Sequence, residues 1–271
     1  MPTVRQILDT LFSYAPPEGA VEDDSIGLAA GDSRAEVTRV VVALDATTEV
    51  IAETAQFGAQ LVVSHHPVAY HSSGQVTDGS TAGRRIMALL QNGIASINMH
   101  TNLDAAPDGV NQALAETLGL RDLTLPNVDS GVYSDATRFA GQRYAICRAG
   151  YLERETTMSE FLRHVKNALH SNGLRYHDAG RPVRHVAVIG GSGGGELDTI
   201  REYGCDTFVT SDIKYSTFLD AREWGVNLID ADHFCTENVV VPRLAGILHK
   251  HFPELDIKIS TQHSQTAKFY T

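Results

Sequence analysis

Three short segments of this 271-residue chain carry side chains that can bind a divalent ion. Ser64-His65-His66-Pro67 follows the apolar run Gln60-Leu61-Val62-Val63. In an open parallel sheet, ligands gather where strands reach their carboxyl ends. Adjacent imidazoles at such an end are well placed to hold metal, and Pro67 restricts the conformation of His66. The plainer alternative is a pair of surface histidines in a turn. Asn98-Met99-His100-Thr101-Asn102-Leu103-Asp104 follows the next apolar run and adds an imidazole and a carboxylate at the same expected edge. Asp108 suits the role of helix cap better than Asp104, because it directly precedes a periodic helix. That leaves Asp104 available. The third segment, Asp230-Ala231-Asp232-His233-Phe234-Cys235-Thr236-Glu237, follows Val226–Ile229 and leads into Val239–Leu248, which can be a helix. His233 and Glu237, four apart, share one helical face if a helix starts by His233. If Glu237 only complements a helix N-terminus, one residue of the two is explained.

Convergence decides the matter. Histidine, aspartate and glutamate together form the donor set of Zn, Mn or Fe, and three separate strand ends present them. Three histidines and two carboxylates exceed what one tetrahedral ion needs. Two ions about 3.5–4 Å apart are the natural reading, with Asp104 as the bridging carboxylate.

Other segments are weaker. Gly190-Gly191-Ser192-Gly193-Gly194-Gly195 follows a strand, but neither G-x-G-x-x-G nor the P-loop pattern fits, since Glu196 stands where the latter needs Lys. A strand-to-helix turn needing positive φ is the expected role, with amides that could help hold an anion. Thr210-Ser211-Asp212-Ile213-Lys214-Tyr215 offers Asp212 as an acid/base or supporting group, or else a cap at Ser211 or Asp212. Lys214 is a further residue that could line the site. His71, His164, His170, His177, His249, His251 and His263 read as surface or packing residues. No G-x-S-x-G elbow supports nucleophilic serine chemistry. Cys147, Cys205 and Cys235 form no C-x-x-C pair, which removes a disulfide scaffold and a cysteine zinc ribbon. They read as small buried hydrophobes, with Cys235 near enough to the site to be oxidisable.

The elements that must position these residues are short apolar runs: Arg39–Leu44, Gln60–Ser64, Ile94–Met99, Arg143–Arg148, His185–Gly190, Asp206–Thr210 and Val226–Ile229. Helical spacing intervenes. Ile7, Leu8, Leu11 and Phe12 lie on one side of an initial helix. Val110, Ala113, Leu114 and Leu118 lie between Asp108 as N-cap and Gly119 as stop. Phe161, Leu162, Val165 and Leu169 are entered from Thr156-Thr157 and closed near Gly173. Strand alternating with helix predicts an α/β class with largely parallel sheets. The turn-rich stretch Asp122–Asp135 predicts a boundary between a first lobe, 1–125, and a second, 126–271.

Composition fits that picture. Hydrophobic residues are 42% and charged residues 20%, an ordinary globular balance. A net charge of -11 repels a phosphate backbone, so general nucleic-acid binding is not expected. Neither a leader pattern nor a membrane-spanning run is seen, and the expectation is a cytoplasmic protein.

The combination of Ser-His-His-Pro at 64–67, His-Thr-Asn-Leu-Asp-Ala-Ala at 100–106, Gly-Gly-Ser-Gly at 190–193 and His-x-x-x-Glu at 233–237 resembles the Nif-three-like family. Its members are commonly called GTP cyclohydrolase I type two homologues or dinuclear metal-centre proteins. The resemblance covers nearly the whole chain. It implies that His65, His66, Asp104, His233 and Glu237 hold two metal ions per chain, of Zn, Mn or Fe. It also implies two interlinked α/β lobes with the metals between them, the C-terminal segment packing back on the first lobe, and commonly a toroidal homohexamer. The chain departs from the family pattern at several places. Asp23-Asp24-Ser25-Ile26-Gly27-Leu28 stands for Trp-Asp-Asn-x-Gly-Leu, Ser211 and Asp232 stand for glycines, and Ser216 stands for a frequent histidine.

The expected function is metal-dependent hydrolysis of a nucleotide-like small molecule, GTP ring opening being the named candidate. His100 or Asp212 would relay protons. A metal-dependent phosphoesterase is the neighbouring alternative. A non-catalytic metal-binding or scaffold protein is the rival from another class.

Overall fold

A computed structural model of the chain describes residues 1–70, 75–126, 138–139, 142–143 and 145–270. The fold is mixed α/β, with two principal sheets whose central strands are parallel. The chain divides into two compact units, residues 1–103 with 240–264 and residues 104–239 with 265–271. Residues 127–135 of the turn-rich stretch lie outside the described residues, as do His71 and residue 144.

The first unit is built on a five-stranded sheet. Across it run Gly27–Ala30, Ala95–Asn98, Leu61–Ser64, Arg39–Ala43 and Asp256–Ile259. The last four are parallel, and Gly27–Ala30 joins Ala95–Asn98 antiparallel. Leu61–Ser64 and Ala95–Asn98 are buried throughout, which is why they read as continuous apolar runs rather than alternating ones. Val41, Ala43 and Val62 pack in one cluster with Val50, Ile51 and Leu89 from helices Thr48–Phe57 and Thr81–Gln91. Helix Val4–Tyr14 starts at a capping box of Thr3 and Gln6 and buries Ile7, Leu8 and Leu11. Each of these three contributes about 1.5–3 kcal/mol of apolar burial. That helix packs on helix Val241–His251, which covers strands Arg39–Ala43 and Asp256–Ile259. The register pairs Ala43 with Ser64 and Ser64 with Asn98, so three parallel strands end level. The residues that follow them emerge at one edge.

The second unit carries a six-stranded sheet in the order Arg121–Thr124, Arg148–Thr156, Val183–Val188, Thr207–Thr210, Asn227–Asp230 and Arg175–His177. The three inner strands Val183–Val188, Thr207–Thr210 and Asn227–Asp230 are parallel to one another, and the remaining pairings are antiparallel. Thr210 pairs with Asp230, which again brings strand ends level. Helix Met158–Ala168 is entered at Thr157, as its sequence predicts, and opens on a Thr157/Glu160 capping box. Helix Val110–Thr117 stops before Gly119, whose φ is +73°. Its N-cap is Gly109, not Asp108, and no side chain caps it. Among the described residues, the run Arg143–Arg148 does not form one strand. Gln142–Arg143 belongs to a two-residue pairing with Arg138–Phe139, and the long strand begins at Arg148. Its exposed half, Tyr151–Glu155, is too polar to register as an apolar run. Among the described residues, no helix is long and apolar enough to cross a membrane.

Candidate metal centre

In the first unit, the edge where the parallel strands end gathers three imidazoles. His65, His66 and His100 each offer a ring nitrogen, and these atoms lie within 4.8 Å of one another. The ring centroids of His65 and His66 are 4.8 Å apart, and that of His100 lies 5.4 and 5.7 Å from them. The backbone fixes the pair first: His65 and His66 both donate their N–H to the Leu44 carbonyl, at 3.1 and 2.9 Å. Ser64 Oγ donates to the His66 carbonyl at 2.8 Å. Each ring is then fixed through Nδ1. His65 Nδ1 lies 2.8 Å from the Met99 carbonyl, His66 Nδ1 lies 2.8 Å from Asp45 Oδ1, and His100 Nδ1 lies 2.8 Å from Asp24 Oδ1.

A carbonyl or ionised carboxylate only accepts, so each Nδ1 carries the proton and the lone pair sits on Nε2. This is how metal-ligating histidines are oriented, with the far nitrogen hydrogen-bonded to an oxygen acceptor. Asp24 is held more firmly than one bond would manage. Burial pushes its carboxyl up, but hydrogen bonds from the His100 ring and from the Thr101 hydroxyl and amide win, and hold it at about 2. The loop bearing Asp24 is tied down in turn by Val21 N–H to Thr101 Oγ1 at 2.9 Å and by the Asn98 amide donating to the Ser25 carbonyl.

The second unit presents its own donors at its own strand ends. His233 opens the short helix His233–Glu237, as the i, i+4 spacing predicts, and Val241–His251 follows as a separate helix after a 3-10 turn. His233 Nε2 lies 3.1 Å from Glu237 Oε2, and Glu237 is buried. His233 Nδ1 lies 2.7 Å from Asp212 Oδ2. Asp212 therefore orients the ring, and neither it nor Ser211 caps the next helix, whose N-cap is Lys214. Asp230 links the two turns: Oδ2 accepts from Ile213 N–H and from Arg175, and Oδ1 accepts from Asp232 N–H. Asp232 sits at φ +73°, a region that favours glycine. It caps the helix through Cys235 N–H, which compensates for the strain. Asp104 lies in the helical turn Thr101–Ala105, and its carbonyl accepts from the Asn111 side-chain amide at 3.0 Å.

The glycine run shapes this second set of donors. Gly190, Gly191 and Gly193 direct their amides to Asn111 Oδ1, Thr236 Oγ1 and Thr210 Oγ1. Gly191 has φ +65°, and a Cβ there would stand 2.1 Å from Glu237 Oε1 and 3.1 Å from His233 Nε2. Only a residue without a side chain fits beside the carboxylate. Cys235 is buried, and burial pushes its thiol up to about 12. Two partners were not visible as such in the sequence: Asp24 and Asp45. Asp45 directly follows a strand end and carried the signal that marked the others. Oriented imidazole Nε2 atoms with nearby carboxylates suit Zn, Mn or Fe, so the residues present fit a metal ion.

Fold and donors together define a mixed α/β protein with an imidazole–carboxylate centre. The family model Duf34/NIF3 (NGG1p interacting factor 3) matches residues 2–268, and the chain belongs to that family. A Streptomyces coelicolor protein named GTP cyclohydrolase 1 type 2 homolog is 33% identical over 268 residues, covering 96% of this chain and 92% of its own. A Clostridium perfringens protein of the same name is 30% identical over 266 residues, covering 98% and 97%. A crystal structure of a Staphylococcus aureus hypothetical protein matches with a TM-score of 0.88 at 29% identity, covering 99% of each chain. A Bacillus cereus protein related to NIF3 shares the fold with a TM-score of 0.89 at 24% identity.

Proposed function

We propose that this protein is a metal-dependent hydrolase of a nucleotide-like, phosphate-bearing small molecule. It holds two divalent ions per chain on His65, His66, Asp104, His233 and Glu237. The observation that carries the reading is the common orientation of His65, His66, His100 and His233, each with Nδ1 on an oxygen acceptor. A fold needs no such uniformity, and a metal centre does. Bound ions would supply Lewis acidity and lower the pKa of water.

The chain's own residues do the rest. Asp45 and Asp212 orient His66 and His233 through their Nδ1 protons. His100, its Nδ1 proton held by Asp24, presents Nε2 beside His65 and His66 as the group that takes up and returns a proton. The relatives' name makes GTP the first substrate to try, with ring opening as the reaction; phosphate esters test the neighbouring phosphoesterase reading. The protein acts as a ring-like homo-oligomer of the kind the family resemblance implies. Light scattering that reports a monomer across micromolar concentrations contradicts that part.

The functional test pairs activity with stability. Metal-reconstituted protein is assayed on GTP, other nucleotides and phosphate esters, with and without chelator, beside His65→Ala and Glu237→Gln. Turnover lost in both variants and on chelation, with only a modest fall in Tm, supports the reading. Complete unfolding on chelation with no metal-dependent turnover of any substrate points to a non-catalytic metal-binding protein instead.

A further inference from the structure

The C-terminal segment of the first unit reaches back to the strand end that carries the histidine pair. Leu44 N–H donates to His263 Nδ1 at 2.9 Å, across 219 residues of chain. The carbonyl of the same Leu44 accepts from both His65 and His66. One residue, buried and without a polar side chain, is thus gripped on its amide by His263 and on its carbonyl by the two imidazole-bearing residues. The next residue, Asp45, orients the His66 ring. Leu44 follows the last residue of strand Arg39–Ala43, where the ladder no longer supplies a partner for its N–H. A buried N–H without an acceptor is costly, so the imidazole stands in for a missing strand.

The reach of the segment is itself fixed. Ser260 N–H donates to the Val42 carbonyl at 2.8 Å, continuing the pairing of Asp256–Ile259 with Arg39–Ala43. Buried Glu53 accepts from Ser260 Oγ, from Thr261 N–H and Oγ1, and from Lys258 Nζ. His263 therefore meets Leu44 from an anchored position only two residues beyond that clamp. Its Nδ1 accepts, so Nε2 carries the proton in the neutral ring, and burial, which lowers its pKa, favours that form.

We infer that His263 is a positioning residue for the metal centre, bracing the Leu44–Asp45 turn and through it the His65–His66 pair. The inference rests on the proposed metal-binding function. It assigns His263 no contact with metal or substrate. Its effect is on how closely the His65 and His66 Nε2 atoms are held to a binding geometry, and outer partners of this kind typically change metal affinity about 10–100-fold.

The test measures metal affinity on the full-length protein by chelator-competition titration with Zn(II), together with the Tm of the metal-free form. Asn places an acceptor oxygen where Nδ1 stands, whereas Gln places its oxygen near the position of Nε2. We expect His263→Ala and His263→Gln to weaken Zn(II) binding about 10-fold or more, and His263→Asn to return it to within a few-fold of wild type. His251→Ala, in the same unit but bonded to Tyr14, should leave affinity unchanged. A merely structural role would lower the metal-free Tm in all three His263 variants with no change in affinity. Wild-type affinity in His263→Gln and His263→Ala, or equal losses in Asn and Gln, overturns the inference while the metal-binding reading stands. Absence of Zn(II) binding in the wild type overturns both.

Discussion

The carboxylate of Asp45 lies 2.8 Å from Nδ1 of His66 and fixes which ring nitrogen faces the candidate metal centre. Asp45 is 21 residues earlier in the chain, at the end of the neighbouring parallel strand. The pairing makes a carboxylate–histidine unit.

Replacing Asp45 with Asn keeps the shape but removes the charge that polarises the ring. Metal affinity should fall about 10–100-fold, while circular dichroism stays that of the wild type. Chelator competition measures it. An unchanged dissociation constant would mean that His66 is oriented by something else.

Gly191→Ala addresses the space beside Glu237. The new Cβ would overlap Glu237 Oε1 and adopt φ +65°. Gly204 also has positive φ, +89°, but nothing lies within 4 Å of a Cβ there. Gly204→Ala should therefore cost only the backbone strain, about 1–2 kcal/mol, or roughly 2–8 °C of Tm for a chain this long. Gly191→Ala should cost more, and should weaken metal binding as well. Equal Tm losses with metal binding intact would remove the steric account of Gly191.

Much of this arrangement could be read in the sequence, for a physical reason. Buried parallel strands need continuous apolar runs, so Leu61–Ser64, Ala95–Asn98, Thr207–Thr210 and Asn227–Asp230 announce themselves, and polar residues directly after them stand out. The His233/Glu237 pair shows through its helical spacing. What stays hidden is the set of long-range oxygen partners. Asp24 meets His100 across 76 residues, and no local period carries such a pairing. The Asp212 cap reading failed for a related reason. A cap is defined by where neighbouring donors point, and here the His233 ring engages that carboxylate. The antiparallel strand Arg148–Thr156 is polar over its exposed half and offers no apolar run.

Acid stability should report the Glu53 clamp on the C-terminal segment. Burial pushes this carboxyl up, but bonds from Lys258, Ser260 and Thr261 bring it from an ordinary 4.5 down to about 2. A depressed carboxylate stabilises the fold fully above its unfolded value, and that contribution is lost as pH falls through the folded value. The advantage of wild type over Glu53→Gln, on the order of 2–3 kcal/mol near neutrality, should shrink below pH 4.5 and be nearly gone at pH 2. Paired thermal melts across that range measure it. A difference that does not vary with pH would show that the charge on Glu53 is not what matters.

Whether this chain holds metal on donors from its strand ends is decided by elemental analysis of the reconstituted, desalted protein. About two divalent ions per chain are expected in the wild type, and the loss of at least one in Asp104→Ala. A wild type that retains no metal after reconstitution would contradict the metal-binding reading.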